Sequence, residues 1–566
     1  MERVTLFGAT GTLGLRTLEE LVRRGGYHLT LLVLPGESAA ARLKPHVRAA
    51  GLPWEPAPAG ESTLRVQEGA GLTLVWGDAR DPAAVRRAVA GADWVINAMA
   101  VISPAADYRP ELARQVNDDA VGHILAAIAA EPDGAKRIGY VHTGSVAQTG
   151  NRPVGVHVGR VGDPLNPSVF DAYAITKIAG ERRVLESPLQ KWVSLRMSFI
   201  MPTEHARLMG LLDPIAFHMP LDTRLEAITD RDGGLALANC LLQASGSPFW
   251  RRVYNLGGGP GMRTTAFEYL RSVYAQMGLD WEACSERNWY ALRNFHLQHY
   301  EDSYVANEYL RFWRDDSASF ATALEESMPR HLKALRWLTR RVPLVKRLAE
   351  RATHATLRRL AEGHRNSPRY WYLHQVEPRL QAFFGGRAAY EAIPGWDGEA
   401  GGGGARVGEA QGSDAWDGGV QDDRAGGPQG VDVRPDAPWR RLDHGYDEEQ
   451  AILTLADLQG AAEYRGGRCL AEEYDGDVYT ALPWECAFGH GFEASVLTVL
   501  HAGHWCPACD TTWNGGLRAR LSPYFAQVWY ADHAVDELEE YAYEGIDDIA
   551  GADEAWRRWR RGRRGA

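Results

Sequence analysis

The chain has 566 residues, 45% of them hydrophobic and 24% charged, with a formal net charge of −11 and six cysteines. That length exceeds a single hydrophobic core and predicts several domains, and the composition is that of a globular protein rather than a disordered or fibrous one. The acidic balance weighs against a role in coating nucleic acid, the cysteines are too sparse for a disulfide scaffold, and no uninterrupted apolar run is long enough to span a bilayer. With Met1 directly ahead of the first predicted strand, no signal peptide is expected, and the cytoplasm is the expected compartment.

Arg3-Val4-Thr5-Leu6-Phe7 is a β-branched and apolar run that predicts a strand, and Leu15, Leu18, Leu21 and Val22 then recur at helical spacing. Between them lies Gly8-Ala9-Thr10-Gly11-Thr12-Leu13-Gly14, with the spacing G-x-x-G-x-x-G. A turn of this kind aims backbone N–H groups and a helix N-terminus at an anion. Glycine at positions 8, 11 and 14 lets a pyrophosphate approach and the helix pack closely on the strand. Alone, the spacing also fits an ordinary tight turn. Further strand-like runs at 29–34, 72–76, 94–97, 138–142, 193–200 and 253–256 alternate with helical patterns, including 82–89 and 112–130. This alternation predicts an α/β fold with a Rossmann-like, doubly wound parallel sheet, whose ligand sits at the carboxyl ends of the strands.

Other motifs fall at those ends. Asp78, after Gly77, could accept from an adenine amino group or serve as a turn residue before Pro82. Asn97-Ala98-Met99-Ala100 is small enough to lie along a dinucleotide, and Thr143-Gly144-Ser145 closes the fifth strand. Tyr173 and Lys177, four apart, share one face of a predicted helix. An ammonium beside a phenol favours the phenolate, so the Tyr173 pKa is expected to fall below the usual value of about 10. Tyr173 would then exchange a proton with a substrate oxygen held jointly with Ser145.

Over residues 1 to about 280 the chain resembles an extended short-chain dehydrogenase/reductase of the epimerase/dehydratase-like superfamily. The matching positions are Gly8/Gly11/Gly14, Gly77-Asp78, the Asn97 stretch, Asn117, Ser145, Tyr173/Lys177 and Val253-Tyr254-Asn255-Leu256-Gly257. The resemblance implies NAD or NADP as cofactor, with Ser145, Tyr173 and Lys177 as the catalytic group and Asn117 supporting the lysine through water. It implies a dinucleotide site of Gly8, Thr10, Gly11, Thr12, Leu13, Gly14, Asp78, Asn97, Ala98, Tyr173 and Lys177, with Arg196 a structural position. Two departures narrow the substrate. Val146-Ala147 replaces the Asp-Glu pair of sugar-nucleotide dehydratases, and Phe199 stands near the Asn of sugar-nucleotide epimerases. The apolar residue is closer to the reductase and hydroxysteroid-dehydrogenase-like branches, with 211–219, including Phe217, as pocket lining or ordinary core.

The implied activity is hydride transfer between nicotinamide and a secondary alcohol or ketone. The alternatives are nucleotide-sugar epimerisation on tightly bound NAD, or a cofactor-sensing binding protein. Glu37 suits a ribose, whereas Arg42 and Lys44 suit a 2′-phosphate, so the choice between NAD and NADP stays open, as does a homodimer.

Beyond residue 285 the pattern turns helical and aromatic. Residues 332–365 interleave leucines with Arg336, Arg340, Arg341, Lys346, Arg347, Arg351, Arg358 and Arg359, reading either as the charged face of a helical cap or as an interfacial anchor. Residues 396–437 are rich in Gly, Asp and Gln and predict a flexible linker, so the expected domains are 1–285, a helical extension at 286–395, the linker, and 438–566. In the last of these, Cys486, His490, Cys506 and Cys509 have the spacing of a closed structural zinc site in a small α+β domain. Around them, Gly466-Gly467-Arg468-Cys469-Leu470, Trp484-Glu485-Cys486, Gly489-His490 and Gly503-His504-Trp505-Cys506-Pro507 resemble a treble-clef zinc-finger domain. That resemblance implies a nucleic-acid or protein partner, with Cys469 a buried thiol and His501 and His504 spare ligands. The acidic stretch 536–548 disfavours a continuous nucleic-acid surface, whereas the basic, aromatic tail Trp556 to Arg561 could touch phosphate and base.

Overall fold

The computed structural model describes residues 1–60, 64–205, 213–396 and 437–542. Most of the expected linker, residues 206–212 and the basic tail lie outside the described residues.

An eight-stranded sheet dominates the first half. Its strands are β1 (Glu2–Phe7), β2 (Tyr27–Val33), β3 (Arg65–Gly69), β4 (Leu72–Trp76), β5 (Trp94–Asn97), β6 (Gly139–Ser145), β7 (Trp192–Met197) and β8 (Arg252–Leu256). They lie in the order β8-β7-β6-β5-β1-β2-β4-β3, parallel throughout except for β3, which runs antiparallel to β4. Alternate residues of each strand enter opposite cores: Val4, Leu6, Leu29 and Leu31 pack on one face, Phe7, Leu32, Val75 and Val95 on the other. Both faces are covered, which is why the central strands read as nearly continuous apolar runs. One strand carries no signal in the sequence, and one expectation is corrected. The edge strand β3 is half exposed and polar, so its pattern carries no apolar signal. The run expected over 193–200 stops at Met197, because Ser198 turns its hydroxyl to the Glu226 carbonyl and Ile200–Met201 pairs with Ile228–Thr229 instead.

The chain direction across the sheet reverses between β1 and β5, and a crevice at their carboxyl ends is where such folds bind ligands. Helix α1 (Thr12–Arg24) follows β1, and helix α2 (Ala172–Leu185) packs over β6. The helical region after residue 285 is continuous with this body: Leu297, Tyr300, Phe320 and Leu324 share a core with Val146 and Met201. Within it, helices α3 (Arg330–Arg341) and α4 (Pro343–Gly363) pack against each other.

The third region is a small antiparallel sheet of β9 (Gly467–Cys469), β10 (Ala481–Cys486) and β11 (Gly491–Ser495) with its own core around Trp484, Leu482 and Val499. This region, expected as a separate domain beyond a flexible linker, packs directly on the first half. The two are joined by buried contacts: His444 pairs with Asp163 at 3.0 Å, Arg160 Nη2 reaches Glu448 at 2.7 Å, and Gly503 lies so close that a Cβ would sit 2.2 Å from the Asp163 carbonyl.

Candidate active site and metal centre

The glycine turn forms a cradle. Gly8 adopts φ +81°, and a Cβ there would come within 2.7 Å of the Ala98 carbonyl; at Gly14 it would come within 2.1 Å of the Gly8 carbonyl. The Gly11 N–H closes the turn onto the Gly8 carbonyl at 3.0 Å. Gly11 is also the N-cap of α1, and no side chain caps that end, so the first N–H groups of a 13-residue helix face the cradle unsatisfied by protein. These features fit a dinucleotide pyrophosphate. Above the turn, the Thr10 hydroxyl donates to Glu37 at 2.9 Å, and Arg42 Nη1 donates to the Thr10 carbonyl at 3.0 Å. The acid and the base weighed for ribose or 2′-phosphate recognition therefore stand side by side. Thr12 and Leu13 form the first turn of α1, with Leu13 buried.

Asn97 and Ala98 close β5 directly over Gly8. Asn97 is buried; its side-chain oxygen accepts from the Met99 N–H at 3.1 Å, which curls the strap 97–100 across the turn. Asp78 is engaged: the Arg80 guanidinium and backbone N–H bind its carboxylate at 2.6–2.9 Å. Burial pushes this carboxyl up, but the Arg80 hydrogen bonds win and hold it below its ordinary value. It borders an open groove with Arg80, Gln115 and His123.

Ser145 ends β6, where its hydroxyl accepts from the Ala147 N–H at 3.2 Å and acts to lower the pKa of the Tyr173 phenol. Tyr173 and Lys177 occupy successive turns of α2, whose N-cap Asp171 accepts from the Ala174 N–H at 2.9 Å. The expectation of a depressed phenol pKa is corrected: burial pushes Tyr173 up to about 12, only partly offset by Ser145, and Asp171 adds to the rise. Burial likewise brings Lys177 down to about 8, against the opposing charge of Glu181. The Lys177 ammonium donates to the Thr143 carbonyl, and the Thr143 hydroxyl donates to the Asn97 carbonyl at 2.9 Å, linking α2 to the strap through β6 and β5. Asn117 lies in a π-turn, Gln115–Asp119. Its side chain bonds the Val101 backbone at 2.8 and 2.9 Å and the Thr176 hydroxyl at 3.1 Å, so it ties the strap to α2 between Tyr173 and Lys177. Phe199 packs edge-on against Tyr269, and Phe217 stacks edge-on against Tyr290 in a separate apolar cluster.

Two buried clusters escaped the sequence reading. Before Tyr173, Asp107, Asp171, His218, His296 and Arg379 line a small cavity with Ser103. Desolvation and the charge of Asp171 raise Asp107 well above its usual range, and His296 pairs with Asp171 at 2.8 Å. One turn beyond Lys177, Glu181 is fully buried. Its carboxylate accepts from Arg196 at 2.6 Å, Ser194 at 2.6 Å and Gln148 at 2.7 Å, and pairs with His504 at 3.0 Å. Gln148 in turn accepts from the Ser145 backbone N–H at 2.7 Å. Arg196 also donates to the Ala502 carbonyl at 2.7 Å, and Arg182 to the Trp505 carbonyl at 2.7 Å. A continuous hydrogen-bonded path thus runs from Ser145 into the loop just before Cys506. The i, i+4 spacing of Lys177 and Glu181 was available in the sequence, but the partner lies 323 residues away.

In that loop the four expected metal ligands converge. His490 Nδ1 lies 3.4 Å from Cys486 Sγ and 3.5 Å from both Cys506 and Cys509 Sγ, while Cys486 and Cys509 Sγ are 3.9 Å apart. Tetrahedral zinc with ordinary Zn–S and Zn–N bonds requires edges of about 3.8 Å between sulfurs and about 3.5 Å between sulfur and nitrogen. The donor set fits zinc in both chemistry and spacing. Cys469 is buried outside this cluster, and His504 is committed to Glu181.

A family model described as NAD(P)H-binding matches residues 60–211. No curated protein matches the chain. Among solved structures, the chain is similar to UDP-glucuronic acid 4-epimerase from Bacillus cereus in complex with UDP-glucuronic acid and NAD, at 14% identity, TM-score 0.42, covering 59% of this chain and 99% of that one. It is similar to a dTDP-glucose 4,6-dehydratase from Streptomyces venezuelae with NAD bound, at 17% identity, TM-score 0.43, covering 60% and 98%. It is also similar to UDP-glucose 4-epimerase from Bifidobacterium longum in complex with NAD+ and UDP, at 16% identity, TM-score 0.42, covering 60% and 98%. The class defined by sheet and cradle is an NAD(P)-binding Rossmann domain.

Proposed function

We propose that the chain is an NAD(P)-dependent oxidoreductase acting on a ketone or secondary alcohol, its site formed by the domain at 1–285. The observation that carries this reading is the placement of Ser145 at the carboxyl end of β6, where its hydroxyl acts on the Tyr173 phenol, with Lys177 one turn further along α2. Gly8, Thr10, Gly11, Thr12, Leu13, Gly14, Asn97 and Ala98 would hold the dinucleotide, and Asp78 would border its adenine end. When bound, that group supplies the hydride chemistry. The protein's own part is proton handling. A phenol raised to about 12 is protonated at neutral pH, which suits carbonyl reduction. As the carbonyl carbon gains hydride, the oxygen takes the Tyr173 proton while Ser145 donates a hydrogen bond to the same atom. Solvent then returns a proton to the phenolate. Lys177 orients the site from the Thr143 carbonyl, and Asn117 holds the strap to α2. Cys486, His490, Cys506 and Cys509 would bind a structural zinc that fixes the 502–506 loop.

The test is Tyr173→Phe. Nicotinamide oxidation with a panel of ketones, followed by absorbance, should fall by roughly 10²–10⁴-fold, while cofactor affinity measured by fluorescence titration stays nearly unchanged. Unaltered turnover removes Tyr173 from the reaction. Substrate conversion without any net absorbance change would assign transient oxidation and epimerisation instead.

A further inference from the structure

Helix α3 buries the wrong side of its sequence. Its one fully buried residue is Thr339, whose hydroxyl donates to the Met277 carbonyl at 2.8 Å. Its large apolar residues face outward: Leu335 and Leu338 are partly uncovered and Trp337 is 53% exposed. The exposed face continues through Val342 into the first turns of α4, where Leu344 is 66% and Leu348 56% exposed. The far half of α4 behaves normally, burying Leu357, Leu360 and Ala361 against the body and anchoring the pair. A surface helix ordinarily turns its leucines inward. Here six large apolar side chains are exposed within residues 335–348 of one helix pair, a density of uncovered apolar surface of the kind that marks an interaction site.

Its charge identifies the partner. Between residues 330 and 351 there are eight Lys and Arg and one carboxylate, Glu350, in a chain whose formal net charge is −11. Arg336 and Lys346 pair with Glu325 and Asp280, whereas the other cations of the stretch make no ion pair among the described residues. The Arg341 guanidinium lies over the Trp337 ring at 4.5 Å, so charge and apolar surface meet at this corner. A second copy of the chain would set this positive corner against itself in a twofold interface, where like charges oppose association. Nucleic acid would satisfy the cations but leave the leucines in water. A surface that is both negative and apolar a few ångströms below satisfies both. No described helix is long and apolar enough to cross a membrane.

We propose that the α3–α4 corner docks on the interface of an anionic lipid bilayer, with Trp337, Leu344 and Leu348 entering the acyl boundary and the flanking cations meeting headgroups. This rests on the exposed face and not on the oxidoreductase reading, and it requires no metal or cofactor. The test is co-flotation of the full chain with phosphatidylcholine vesicles containing or lacking about one-third phosphatidylglycerol, with light scattering of the free protein alongside. The wild type should float with the anionic vesicles, and not with the neutral ones. Raising salt should weaken the association, since the Debye length shrinks to about 3 Å at 1 M. Trp337→Ser/Leu344→Ser/Leu348→Ser should reduce partitioning by about tenfold or more, and Arg340→Gln/Arg341→Gln/Arg347→Gln should remove the preference for anionic lipid. All six positions are exposed, so unchanged melting temperatures are expected and serve as the folding control. Absence of binding to anionic vesicles, or equal binding by well-folded variants, overturns the proposal. A wild-type dimer that the apolar variant converts to monomer overturns it in favour of a second copy.

Discussion

Lys177 is enclosed among groups that do not neutralise it fully, and its pKa near 8 records that burial outweighs the Glu181 charge. The consequence for stability has a definite sign. The unfolded lysine keeps its proton up to about 10.4, whereas the folded one releases it near 8, so between these values the unfolded state binds more protons and stability rises with pH. The full relief amounts to as much as about 3 kcal/mol. Lys177→Met should therefore flatten the rise in melting temperature that the wild type shows from pH 8 to pH 10, relative to its own value at pH 7. Parallel curves for the two proteins would place the ammonium elsewhere. Tyr173 and Lys177 were legible from their spacing, because i, i+4 fixes a common helix face whatever the surroundings. Their pKa values were not, because desolvation depends on everything packed around them. The expected depression of the phenol failed on that point.

At the scale of elements, the alternation of apolar runs and helical patterns was enough to read seven of the sheet's strands, since buried parallel strands announce themselves as continuous Val, Ile and Leu. The polar edge strand β3 carried no such signature. The link between α2 and the metal loop was equally hidden, because a buried Glu looks no different in sequence from one in water. His504 reaches Glu181, Glu181 reaches Gln148, and Gln148 holds the Ser145 backbone N–H. His504→Ala leaves a buried carboxylate short of one partner, a change that costs about 1–3 kcal/mol. The variant should retain stoichiometric zinc by elemental analysis, show a lower kcat with ketone substrates, and keep its nicotinamide affinity. His504→Gln, which can still donate to Glu181, should recover much of the loss. If Ala and Gln are equally impaired with zinc retained, the path does not govern Ser145.

Taken whole, the molecule is more unified than its Gly-rich stretch suggests. Arg196 and Arg182 donate to main-chain carbonyls of the 502–505 loop, Arg293 binds Glu537 and the Asp532 carbonyl, and Arg251 lies 3.2 Å from the Tyr479 ring centre. Cutting the chain at residue 396 would remove these partners and uncover the apolar core that Leu497 and Ala502 complete, returning to water a surface whose burial helps to hold the fold. The fragment 1–396 should be recovered largely insoluble or as an inactive, loosely packed species, judged by gel filtration and by lost near-ultraviolet circular dichroism. Recovery of a well-folded fragment with full turnover would make the third region an accessory. Nothing in composition or spacing hinted at this interface, because its pairs join residues hundreds of positions apart.

The same enclosure of Glu181 bears on how the polypeptide is made. Helix α2 leaves the ribosome long before His504 exists, and at about 5–20 residues per second the delay is on the order of tens of seconds. Throughout that interval the nascent Rossmann half carries an acid and an arginine pair whose final cover has not been translated. Completion of the cluster around Glu181 thus waits for the segment that carries His504, and a chaperone that shelters the open flank of α2 would be most needed before that metal-bearing segment arrives.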